Sequence, residues 1–247
     1  MQITEFVFVD PKVRLLERCA APFLLELPTM KTLEALIFDF DGLILDTETP
    51  EFDVLNEIYA EYDVELSIEK WGQIIGGSAA NDFDPVSDLE HLLGVSISRQ
   101  PLLDRWRAEA DARIATNPVL PGVLDLLNEA RSRGLKLAVA SSSPHVWVDT
   151  HLTRLGLFEY FAHTICSDDV TLTKPSPELF LLALSKLNVR ADRAVIFEDS
   201  PNGVKAANAA GIPVVAVPNP ITSQLTFENE TLRLESLSQF SFKRWTG

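Results

Sequence analysis

The sequence is short of everything that would tie it to a membrane, a disulfide framework or a nucleic acid. Its only cysteines are Cys19 and Cys166. Two lone thiols so far apart make no framework and fit a reducing compartment, so a cytoplasmic location is expected. No apolar run approaches the ~20 residues that cross a bilayer. Basic residues are scarce, 21 against 36 acids, for a net charge of −15. A surface of that sign repels phosphate backbones and anionic lipid, which excludes nucleic acid and membrane as expected partners. His91, His145, His151 and His163 are scattered and share no metal-ligand spacing. No segment repeats and none is of low complexity.

What is present is a chain of 247 residues, 46% hydrophobic, long enough for one large domain or two small ones with a real core. Residues 1–30 mix Glu5, Asp10, Glu17 and Glu26 into their apolar positions, which does not suit a signal peptide. They read as an accessory extension, or as an upstream addition ahead of a start at Met30, with no function assigned. Short apolar runs follow: "EALIFDF" (34–40), "LKLAVAS" (135–141), "RAVIFED" (193–199), "IPVVAVP" (212–218) and, more weakly, "AHTICSDD" (162–169). These read as buried strands. "GVLDLLNEARSRG" (122–134), "PELFLLALSKLN" (177–188) and "PNGVKAANAAG" (201–211) have helical periodicity and lie between or beside them. The alternation implies an α/β fold, a Rossmann-like parallel sheet with helices on both faces.

Residues 47–117 break the alternation with helical pattern alone. Thr49 and Pro50 suit a helix start, and Phe52, Leu55, Ile58, Tyr59 and Tyr62 form an apolar stripe. Further helices are expected near 67–75, 85–93 and 99–115, and "TNPVLPG" (116–122) reads as a linker. The expected organisation is therefore a core of 31–46 and 118–247, with an inserted helical domain of 47–117.

The strand at 34–40 ends on acids, Asp39 and Asp41, with Gly42 permitting a sharp turn. Ligands of such sheets bind beyond the carboxyl ends of the strands. Asp39, Asp41, Ser141, Glu198 and Asp199 all fall there. Carboxylates gathered in one crevice repel one another, and a hard divalent cation resolves this; all-oxygen donors favour Mg²⁺. Pro175 and Pro177 keep a helix from starting early and leave Lys174 on a loop. Metal, lysine, hydroxyl and backbone N–H groups together describe a phosphoryl site.

Four motifs in order, "DFDGLILDTE" (39–48), "ASSS" (140–143), "KPSPE" (174–178) and "FEDSPNG" (197–203), resemble those of the haloacid dehalogenase superfamily, in its β-phosphoglucomutase-like group. The likeness covers about 34–220, and the helical insert is similar in place and size to that group's cap domain. It implies a Mg²⁺-dependent phosphatase of small phosphorylated metabolites, with a sugar-phosphate mutase as the alternative and a non-catalytic phosphate-binding protein less favoured. By this resemblance Asp39 is the nucleophile and Asp41 the general acid and base. The metal falls to Asp39, the Asp41 carbonyl, Asp199 and Glu198. Ser141 and Lys174 hold the phosphoryl oxygens with backbone N–H groups near Gly42 and Ser142. Dehalogenase relatives lack the acid at Asp41. Glu51 stands where the hexose-phosphate mutases of the group carry a histidine, and so faces substrate.

Other residues have plainer expectations. Asp46 braces the loop into the insert; Ser142 and Ser143 bond within their loop; Asn202 and Gly203 shape a turn. Trp71, Trp106 and Trp147 belong to the core or an interface, and Cys166 to packing. "IIGGSAANDF" (74–83) is the expected loop over the site, and it holds no Arg or Lys.

Overall fold

A computed structural model describes residues 32–77 and 83–245. The 1–30 segment, Cys19 and residues 78–82 of the 74–83 loop lie outside the described residues. Five of the strands are the five apolar runs: β1 (Ala35–Phe38), β2 (Lys136–Ala140), β3 (His163–Ile165), β4 (Ala194–Glu198) and β5 (Val214–Ala216). A sixth, β6 (Leu232–Arg233), has only two residues and no apolar run to announce it. All pairings are parallel, in the order β3-β2-β1-β4-β5-β6. Strand order reverses at β1, so the crevice between the ends of β1, β2 and β4 is the natural binding place.

Alternation along β1 shows how the faces are covered. Leu36 and Phe38 point to a core shared with Val123, Leu126 and Leu127 of α5 (Val123–Ser132) and Val148 and Leu152 of α6 (His145–Arg154). Ala35 and Ile37 point to the opposite core, with Leu179, Phe180 and Ala183 of α7 (Glu178–Leu187) and Val204 and Ala207 of α8 (Pro201–Ala209). Both faces being buried explains why β1 and β5 are apolar throughout and β4 is apolar up to Glu198. Phe38 and Phe197 stack across β1 and β4 with centroids 5.0 Å apart.

Between β1 and α5 the described residues form four helices and no strand: α1 (Glu48–Ala60), α2 (Ile68–Trp71), α3 (Pro85–Leu93) and α4 (Arg99–Ile114). Helix α1 starts before the expected Thr49. The Asp46 carboxylate three residues earlier accepts the Thr49 N–H at 3.0 Å and caps the first turn. Its buried face is Val54, Leu55, Ile58 and Tyr59, whereas Tyr62 falls beyond the helix end and is exposed. Helix α4 packs along α1 and carries Trp106, whose indole donates to the Glu51 carbonyl at 2.9 Å. The two connections to the core are tied: Asn117 Nδ2 donates to the Asp46 carbonyl at 2.8 Å, and Leu45 bridges Val119. No helix among the described residues is long and apolar enough to cross a membrane.

Candidate functional site

β1 delivers Asp39 to its carboxyl end with the backbone N–H bonded to the Phe197 carbonyl of β4 at 2.9 Å. The Asp39 side chain is buried and touches the Lys174 ammonium, which also reaches Glu198 Oε1 at 2.5 Å. Lys174 itself is fully enclosed, held on the loop before α7 as the flanking prolines require. Glu198 is fixed further by Ser200, whose N–H and hydroxyl donate to Oε2 at 3.1 and 3.0 Å. A Cβ on Gly203 would sit 1.8 Å from the Glu198 carboxyl carbon, so the first turn of α8 needs glycine to close over this group. Asp199 Oδ2 accepts from Asn219 Nδ2 at 2.8 Å, while Asp199 Oδ1 is buried with no hydrogen-bond partner among the described residues.

Asp39, Glu198 and Asp199 each offer an oxygen within 4.8 Å of the others. One lysine cannot neutralise three buried carboxylates. Burial first, and repulsion from Glu198 next, push Asp39 up to about 7. Burial and Asp39 hold Asp199 well above the usual range. Burial alone would lower Lys174, but Asp39 and Glu198 outweigh it and raise the ammonium instead. Three carboxylates that each offer an oxygen to one place, an orphaned oxygen on Asp199 and an excess of negative charge are what a hard divalent cation satisfies.

The turn after Asp41 is built around Gly42, at φ +75°. A Cβ there would lie 2.3 Å from Asp199 Oδ2 and 2.6 Å from Asn219 Nδ2. The Gly42 N–H, expected to face a phosphoryl group, is instead spent on the Leu45 carbonyl at 2.8 Å. The turn closes on itself, and what Gly42 contributes is room for Asp199. Gly42→Ala is accordingly expected to destabilise by roughly 1–3 kcal/mol from the left-handed backbone alone. It should also weaken divalent-ion binding at least tenfold by displacing Asp199. Urea unfolding and calorimetric ion titration measure the two; ion affinity unchanged in Gly42→Ala would refute this account of the turn.

Asp41 is surrounded by donors. Ser141 Oγ and Ser143 Oγ donate to Oδ2 at 3.2 and 2.7 Å, and Trp147 Nε1 donates to Oδ1 at 2.8 Å. Trp147 was expected in the core or an interface; it stands in the site because α6 begins directly after the 140–143 loop and turns this face toward Asp41. Ser143 likewise reaches beyond its own loop.

Asp39 and Asp41 open into a cavity of about 510 Å³. Thr47, Glu48 and Glu51 of the α1 start, Trp106, Arg107 and Asp111 of α4, and residues 74–77 form its far wall, facing Ser142, Ser143 and Trp147. Lys174, Glu198 and Asp199 lie beneath its floor, enclosed. Glu51 is pushed up to about 8 by burial, then by Asp41 and Asp111. Glu48 is raised by burial, then by Glu51. Arg107 is the one cation among the described lining residues.

The described part of the 74–83 loop is held by the core. Ser142 Oγ donates to the Gly76 carbonyl at 3.1 Å, and Asn202 Nδ2 to the Ile75 carbonyl at 2.9 Å. Asn202 thus does more than shape a turn; the α8 start is capped by Ser200, whose hydroxyl accepts from the Gly203 N–H at 3.1 Å, so the Asn202 amide is released for the loop.

Sequence reasoning missed Asn219, Glu48, Asp111, Arg107 and the reach of Trp147. Asn219 follows the "VVAV" strand, and its place after a strand end was the one available signal.

A family model described as haloacid dehalogenase-like hydrolase matches residues 36–217. The chain is 44% identical over 207 residues to a Bacillus subtilis protein named "Putative phosphatase YhcW", covering 84% of this chain and 93% of that one. It is 34% identical over 182 residues to "Phosphorylated carbohydrates phosphatase" of Thermotoga maritima, covering 73% and 82%. Among solved structures, a CbbY mutant from Rhodobacter sphaeroides in complex with xylulose-(1,5)bisphosphate superposes with a TM-score of 0.66 at 27% identity, covering 84% of this chain and 96% of that one.

Proposed function

The chain belongs to the haloacid dehalogenase-like hydrolases, and on that footing we propose that it is a Mg²⁺-dependent phosphatase of small phosphomonoesters, sugar phosphates or related metabolites. The observation that carries the proposal is the meeting of Asp39, Asp41, Lys174 and Ser141 at the ends of β1 and β2, above the Asp39–Glu198–Asp199 cluster.

Asp39 attacks phosphorus and becomes an aspartyl-phosphate. Asp41 gives a proton to the leaving oxygen, then takes one from the water that hydrolyses the intermediate. Lys174 and Ser141 orient the phosphoryl oxygens, with backbone N–H groups of the loop at Ser142. Asp39, the Asp41 carbonyl, Asp199 and Glu198 are the residues for Mg²⁺, which when bound offsets the charge of the acids and of the phosphoryl group. Enclosing Lys174 excludes water from the ammonium and strengthens its hold.

Residues 47–117 act as a cap domain over the leaving group. Glu51, pushed up to about 8, carries a proton near neutrality and so can both donate to and accept from hydroxyls, and Glu48 beside it is raised in the same direction by burial and by Glu51. With Trp106 and Trp147 as flat walls, that lining suits a polyol better than a second phosphate, for which Arg107 is the sole cation. The phosphorylated-carbohydrate phosphatase relative supports the same reading.

A panel of phosphorylated metabolites assayed for released phosphate, with and without Mg²⁺, tests it. Sugar monophosphates should be hydrolysed only with the ion. A hexose 1-phosphate should yield free sugar, because Glu51 occupies the mutase histidine position. Silence across the panel, or hexose 6-phosphate forming faster than phosphate, would reject the phosphatase assignment.

A further inference from the structure

We infer that Trp147 is a positioning residue for Asp41: its indole holds Oδ1 as an acceptor and leaves Oδ2 as the oxygen that carries the transferable proton. The inference rests on the phosphatase reading above. An indole N–H donates and cannot accept, so a proton on Oδ1 would face another hydrogen at 2.8 Å. Among the described residues, Oδ2 accepts only from the hydroxyls of Ser143 and Ser141, at 2.7 and 3.2 Å. A hydroxyl turns to donate to a carboxylate or to accept from a carboxylic acid, so Oδ2 tolerates both states of Asp41.

Trp147 is itself held in place. The His151 ring lies edge-on to it at 4.4 Å. Arg154 Nε donates to His151 Nδ1 at 3.3 Å, and its other nitrogens donate to the Asn117 and Ile114 carbonyls at 3.1 and 3.4 Å. Trp147, His151 and Arg154 follow one face of α6 at spacings of four and three, which turns the helix into a strut. One end of the strut is the proton-transfer group. The other is the chain leaving α4, where Asn117 also binds the Asp46 carbonyl. The direction of Asp41 is therefore set by the same contacts that fix the connections to the helical insert.

The step balances simply. An Asp39 oxygen bonds to phosphorus as the ester P–O bond breaks, and the leaving oxygen takes the proton from Asp41 Oδ2. Asp41, now a carboxylate, takes a proton from water as the water oxygen bonds to phosphorus and the Asp39–phosphorus link breaks.

Trp147→Phe keeps an aromatic ring and removes the N–H. kcat/KM, which reports transfer to Asp39, should fall about 10- to 100-fold on a hexose phosphate, a fraction of the ~10²–10⁴ that a general acid supplies. On p-nitrophenyl phosphate, whose leaving oxygen needs no proton, it should change less than about threefold. In parallel, the ¹⁵N indole resonance of Trp147 should shift in Asp41→Ala, a measurement independent of whether the Trp147 variant folds. Equal losses on both esters would mean a packing role only, and would overturn the inference, as would an indole resonance indifferent to Asp41→Ala. A wild-type chain that hydrolyses neither ester sinks the phosphatase reading as well. One that hydrolyses both, with Trp147→Phe unchanged, sinks this inference alone.

Discussion

Asp39→Asn is expected to lower turnover of any phosphomonoester by roughly 10³–10⁶-fold, the scale seen when a covalent nucleophile is removed. An amide nitrogen or oxygen at this place does not form the aspartyl-phosphate, and the neighbouring acid Asp41 is already engaged by Trp147, Ser141 and Ser143. The fold should survive. Asp39 is buried beside two further carboxylates and one lysine, so a neutral isostere relieves repulsion as it gives up an ion pair. The thermal midpoint is expected within a few degrees of wild type. Steady-state kinetics with a melting curve on the same preparation decides the matter. Retained turnover would refute the nucleophile, and a collapsed midpoint would mean that Asp39 is a structural anchor.

The second large effect is on stability in the absence of metal. Asp39 is pushed up to about 7, chiefly by burial and then by Glu198, and Asp199 is raised by burial and Asp39. The folded state thus holds protons that the unfolded chain releases near pH 4. The associated stability is complete below about pH 4 and is lost as pH rises through about 7. In EDTA the melting midpoint should fall by several degrees between pH 5 and 8. Saturating Mg²⁺ should restore it, far more at pH 8 than at pH 5, because the ion binds the deprotonated cluster. Glu51, raised to about 8, acts in the same direction and is not relieved by the ion. Two histidines are shifted as well. His145 is raised because Asp169 and Asp149 outweigh burial; His151 is lowered by burial and then Arg154. Their contributions are common to both curves and cancel in the difference between Mg²⁺ and EDTA. A difference that does not change from pH 5 to 8 would contradict the cluster.

The strand ends were legible because a buried parallel strand stays apolar until polar groups are gathered at its carboxyl end, and Asp39, Ser141 and Glu198 mark those points. Lys174 was legible from the prolines that follow it. The residues missed are those whose meaning depends on what faces them. Trp147 is one aromatic on an unremarked helix, 106 positions from the carboxylate that it binds. Asn219 sits in "VPNP", which reads as a turn whether or not its amide reaches Asp199. Arg107 and Asp111 lie on α4, where charge looks like a solvated face until α1 is packed beside it. The start of α1 was misjudged for a local reason, because Thr49 and Asp46 both suit a cap and only the carboxylate turns toward the open N–H. β6, at two residues, is shorter than any pattern that periodicity can detect.

The hold that Ser142 and Asn202 take on residues 75 and 76 is made entirely through main-chain carbonyls. Every amino acid has that carbonyl, yet the docking still constrains what the loop carries: a Cβ on Gly76, at φ +67°, would lie 2.1 Å from Ser200 Oγ, and the Ile75 side chain is buried in the core. The described part of the loop is thus anchored twice, by hydrogen bonds to the carbonyls of residues 75 and 76 and by the fit of those two residues against the core. Substitutions that spare residues 75 and 76 are the ones expected to leave this attachment to Ser142 and Asn202 intact.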